Sequence, residues 1–96
     1  MKSVNEIIEI VSKETSIPVA AIKNPSRKEE IILARHLSMW ASRWYTPTSM
    51  QKIAAAHGKR NHGTVINACT SIDAQATYKK SVKELCDKIV NQINNL

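Results

Sequence analysis

Apolar residues return every three or four positions from one end of this chain to the other, and nowhere do they alternate. That period puts them on one face of a helix, whereas a half-buried strand needs a period of two. Only three prolines and two glycines interrupt the pattern in 96 residues. The chain therefore reads as all-α, with about six helices in one domain over residues 1–96.

Ser3 followed by Glu6 is a capping box, and it opens a helix with Val4, Ile7, Ile8 and Val11 as its apolar stripe, ending near Thr15. Pro18 suits the first turn of a short second helix, with Val19 and Ile22 inward, and Asn24-Pro25 breaks it. Ser26 followed by Glu29 is a second capping box. The long helix it predicts carries Ile32, Leu33, Leu37, Trp40, Ala41 and Trp44 at core spacing and ends near Tyr45, before Pro47. It is expected to be the central helix, with both tryptophans packing inward rather than stacking on bases. Thr48 or Ser49 can cap a two-turn helix with Met50, Ile53, Ala54 and His57 inward, which Gly58 ends. Asn61 is placed to cap the next helix, whose stripe is Val65, Ala68, Cys69, Ile72 and Ala76. After a break near Thr77 and Tyr78, a last helix turns Val82, Leu85, Cys86, Ile89, Val90 and Ile93 inward.

Several classes are excluded early. No window of 18 apolar residues exists, so no transmembrane helix and no membrane partner are expected. The N-terminal MKSVNEIIEIV carries acids where a secretion signal needs an unbroken apolar run, which makes the protein cytoplasmic by expectation. Cys69 and Cys86 lack metal-site spacing and fall on apolar faces, so they read as core thiols. The spacing of His57, His62, Cys69 and Cys86 fits no usual zinc site. His36, His57 and His62 have no nucleophile or acid at catalytic spacing, so no enzyme and no cofactor are expected.

The net charge of +6 is unevenly placed. Residues 1–22 hold two lysines against three glutamates, and residues 61–96 hold four lysines against three acids. Residues 23–60 hold eight cations against two glutamates, so the excess sits in the middle of the chain. It ends at GKRNHGTVINAC, residues 58–69, where cations and small polar residues stand at the mouth of a helix. A basic patch beside a polar helix start points to a polyanion; a cationic surface kept for solubility is the alternative.

By spacing alone, residues 49–69 make a helix-turn-helix: a short helix, a glycine turn and a second amphipathic helix. In that motif the second helix enters the major groove with its first residues on base edges. Arg60 can contact guanine in bidentate fashion or reach a phosphate, and Lys59 is a phosphate cation. Asn61 caps the helix or pairs with adenine, but cannot do both fully. His62 and Thr64 can contact bases or phosphates. Gly63 permits close backbone approach, and free amides at the helix start favour anions.

GKRNHGTVINAC resembles the signature of the bacterial replication initiator DnaA family, roughly G-G-R-D-H-T-T-V-x-x-A-C. ARHLSMWASRW is similar to that family's xRQxAMxLxRE, and SMQKIAAAHG to its S-L-x-E-I-G-x-x-F-G. The likeness runs from about Val4 to about Ile93 and covers only that family's C-terminal DNA-binding domain. It implies a duplex-DNA partner, bound by one monomer per site. It implies that Arg60 reads a base in the major groove, and that His62 and Thr64 contact bases and backbone there. Arg35 matches an arginine inserted into the adjacent minor groove. Ser49 matches a phosphate-holding helix start, and Arg27 and Lys28 match a basic loop along the backbone.

Three departures bear on which site is read. Asn61 stands where the family has Asp, Gly63 where it usually has Thr, and Glu29 and Glu30 interrupt the basic loop. No nucleotide is expected to bind, since G-x-x-x-x-G-K-[ST] is absent. The start at Met1, just before the first capping box, favours a free-standing protein over an excised domain. A role in replication initiation or its regulation is the leading reading. A protein-interaction module on the same fold, with weak or no DNA binding, is the second.

Overall fold

In the computed structural model, which describes residues 2–59 and 61–96, the capping box at Ser3 is formed. Ser3 Oγ accepts from the Glu6 amide at 3.2 Å and the Ser3 amide donates to Glu6 Oε1 at 3.0 Å. Helix α1 (Val4–Thr15) follows and buries Val4, Ile7, Ile8, Ile10 and Val11. Pro18 is the N-cap of α2 (Val19–Lys23), which buries Ile22. Then come α3 (Glu29–Tyr45), α4 (Met50–Ala56), α5 (Gly63–Tyr78) and α6 (Lys80–Asn94). Among the described residues there are six helices and no strand, as the periodicity requires.

Helix α3 packs against all five of the others, which makes it the central helix. Around it the isoleucines at 7, 8, 22, 53, 72, 89 and 93 are fully buried. Each such side chain contributes about 1.5–3 kcal/mol over an exposed one. Cys69 and Cys86 are buried as free thiols, and burial pushes the Cys86 thiol up to about 11. At neutral pH it is protonated and a poor nucleophile.

Two expectations for α3 are corrected. The Ser26 capping box does not form. Ser26 Oγ accepts instead from the Lys28 amide at 3.3 Å, a local turn that competes with helix initiation, and the helix starts at Glu29 with Lys28 as N-cap. Nor does Trp44 pack inward: it is 57% exposed, with Arg43 lying 4.9 Å from its ring centroid. Trp40 keeps the expected position against the core and donates from Nε1 to Asp73 at 3.1 Å. The fully enclosed residues of α3 include Ala34, Leu37, Ser38, Met39, Ala41 and Ser42.

Candidate nucleic-acid interface

Ser49 caps α4 as expected, its Oγ accepting from the Lys52 amide at 3.3 Å. Ile53 and Ala54 anchor the short helix in the core, leaving Gln51, Lys52 and Ala55 exposed. His57 ends the helix, fully enclosed. Its Nδ1 lies 2.8 Å from the Ile53 carbonyl and its Nε2 lies 2.7 Å from Ser38 Oγ. A carbonyl can only accept, so Nδ1 carries the proton and Nε2 accepts from the Ser38 hydroxyl. Burial is the main reason His57 is held below its usual 6.5, with Arg35 and Lys23 adding repulsion and the bond to Ile53 opposing them.

The turn needs its glycine twice over. Gly58 has φ +73°, in the left-handed region, and a Cβ there would stand 2.7 Å from the Lys23 carbonyl oxygen. The turn is thus pressed against the end of α2. Arg35 secures that same end. It is 3% exposed, and its guanidinium donates to the carbonyls of Ile22 (3.1 Å), Ala21 (3.4 Å) and Asn24. In the free protein the Arg35 side chain is therefore held inward. The side chain turns to carbonyls at the C-terminal end of α2 and at its C-cap, which have no intrahelical partners.

Beyond the turn, Lys59 is half-buried, while Asn61 and His62 are exposed. Arg60, the expected base-reading arginine, lies outside the described residues. His62 is the N-cap of α5 by backbone position, one residue later than expected, and makes no side-chain cap. Asn61 still supplies the capping group: its Oδ1 accepts from the Gly63 amide at 2.8 Å. Gly63 and Thr64 form the half-buried first residues of α5. Val65, Ala68, Cys69 and Ile72 hold the helix down, and the opposite face carries Ile66 (40% exposed), Asn67 and Thr70.

That outward row and Lys52 escaped the sequence reading. Their signal was present, since positions 63, 66, 67 and 70 repeat at helical spacing opposite the buried stripe. Arg27 and Lys28 are exposed on the connection before α3. Among the described residues, the ion pair formed is Lys83–Asp87 on α6, so Arg27, Lys28, Lys52 and Lys59 have no carboxylate within ion-pair reach.

A short capped helix, a glycine turn, and a second helix with a polar mouth and a buried stripe define a helix-turn-helix domain. Residues 4–72 match the family model described as the bacterial dnaA protein helix-turn-helix. The chain belongs to that family of DNA-binding domains. Among curated proteins it is 35% identical over 91 residues to the chromosomal replication initiator protein DnaA of Wolinella succinogenes, covering 91% of this chain and 21% of that protein. It is 33% identical over 79 residues to the DnaA of Bacteroides thetaiotaomicron, covering 82% of this chain and 17% of that protein. For the DnaA of Mycoplasma capricolum the figures are 33% over 91 residues, 95% and 20%. The chain thus spans about a fifth of the length of the relatives it matches.

Proposed function

We propose that this protein binds duplex DNA sequence-specifically, with the start of α5 in the major groove, and acts in replication initiation or its regulation. The observation that carries the reading is the exposed polar mouth of α5, with Asn61 and His62 set between Lys59 and the outward row Ile66, Asn67 and Thr70. In this reading Arg60, Asn61, His62 and Thr64 face bases or nearby phosphates, and Gly63 lets the backbone come close. Arg27, Lys28, Ser49, Lys52 and Lys59 lie along phosphates. Phosphate contacts fix register and base contacts fix sequence. Arg35 serves as a strut for the α2 end in the free protein, and entry into a minor groove requires it to leave three carbonyls.

Selection of bound duplexes from a random pool, followed by titration of the selected duplex and a scrambled one, tests the proposal. The expected result is one consensus, with Arg60→Ala losing about 1–3 kcal/mol on the selected duplex only. If no duplex is shifted even at low salt, the fold serves a protein partner instead.

A further inference from the structure

The Gly63 amide is a donor, so whichever Asn61 atom lies against it must be an acceptor. The carboxamide is therefore fixed with Oδ1 on that amide, at 2.8 Å. The bond also satisfies one of the amides that the first turn of α5 cannot pair internally. What remains is the NH₂ group. Asn61 is exposed, and among the described residues its Nδ2 has no hydrogen-bond partner. The residue thus offers donors to whatever approaches the mouth of the helix.

We propose that Asn61 is a specificity-determining residue that acts by excluding cytosine from the base position it faces. This rests on the DNA-binding reading above and goes beyond it by assigning one base discrimination to one group. In the major groove thymine presents O4, guanine O6 and N7, and adenine N7, all acceptors for an NH₂ donor. Cytosine alone presents a donor, its N4 amine, and no acceptor. Two opposed donors leave both unpaired away from water, so the mismatch costs more than a missing bond. An aspartate here, as the family signature has it, can cap Gly63 with one oxygen and turn the other outward as an acceptor. The two residues keep the same cap and present opposite polarity, so the exchange reverses the preference instead of weakening it.

The test is selection from a random duplex pool with the wild-type protein, Asn61→Asp and Asn61→Ala, each checked by thermal melting. Cytosine is expected to be depleted about tenfold at one position for the wild type and enriched to a similar degree there for Asn61→Asp. Asn61→Ala is expected to bind with no preference at that position. Identical consensus sequences for wild type and Asn61→Asp, with both folded and bound, overturn the assignment while leaving DNA binding intact. Absence of any selected duplex with the folded wild type overturns the DNA-binding reading, and this inference with it.

Discussion

Arg35 is a cation taken out of solvent to serve two carbonyls of α2, those of Ala21 and Ile22, and that of Asn24 at its C-cap. Burial lowers its pKa, but a guanidinium stays protonated, so the bonds are charge-assisted. Arg35→Ala leaves those carbonyls without their partner and should cost about 1.5–3 kcal/mol, seen as a lower denaturant midpoint. Arg35→Lys should recover little, because a compact ammonium cannot span the three acceptors as the planar fork does. A side chain held only for DNA gives the contrary result, unchanged stability with weakened binding. None of this was legible from the residue type. An arginine inside a basic segment reads as surface, and what pulls it in is the end of a helix too short to satisfy its own carbonyls. Ser42 shows the same limit: it is fully buried, and its hydroxyl finds no partner among the described residues.

At the scale of elements, the breaks were legible and the facing of α3 was not. Pro18, Asn24-Pro25, Pro47 and Gly58 punctuate the chain by backbone chemistry, which tertiary context does not alter. The large apolar residues of α3 suggested a stripe through Trp40 and Trp44, yet the buried arc centres on Ser38. At 100° per residue Trp40 and Trp44 both lie more than about 100° from that centre; Trp40 is covered by packing on the core and its bond to Asp73 of α5, whereas Trp44 stays exposed. Small residues there, Ala34, Ser38, Ala41 and Ser42, let neighbouring helices come close on several sides. The Ser38–His57 bond ties this arc to the end of α4, and it makes the helix-turn-helix sensitive to acid. His57 is depressed in the folded protein, so the unfolded chain binds its proton more readily. Its stabilising contribution is present above the usual 6.5 and is lost as pH falls below it. His36, lowered by burial and by Arg35 and Lys59, acts in the same direction. The melting temperature should therefore fall between pH 7 and pH 5. His57→Gln should melt lower at pH 7, for want of buried bonds worth about 1–3 kcal/mol, but lose less on acidification. Parallel pH profiles for the two proteins would show that His57 is not the sensor.

For the molecule as a whole, the sequence already separated a basic middle from nearly neutral ends, and the fold decides which of those cations remain available. Arg35 is withdrawn into the interior, and Arg43 lies over Trp44. Arg27, Lys28, Lys52 and Lys59 stay free of ion pairs among the described residues, and Arg60 adds a further charge in the sequence. About five phosphates neutralised by such a set should release counterions so that log K falls against log salt with a slope of about −4 to −5. Glu29 and Glu30 open α3 beside the basic connection and will offset part of the attraction, so Glu29→Gln with Glu30→Gln should tighten binding on every duplex alike. Lys59→Ala should reduce the slope by about 0.9 and weaken selected and scrambled duplexes equally, because a phosphate contact carries no sequence information. The measurement is affinity for both duplexes at four or more salt concentrations, for the parent and each variant. A protein-interaction module on this fold gives a different pattern: a shallow slope, no difference between duplexes, and no response to Lys59. A steep slope with no difference between duplexes separates the two halves of the proposal, leaving the basic surface as a general DNA-binding face and removing sequence reading from the mouth of α5.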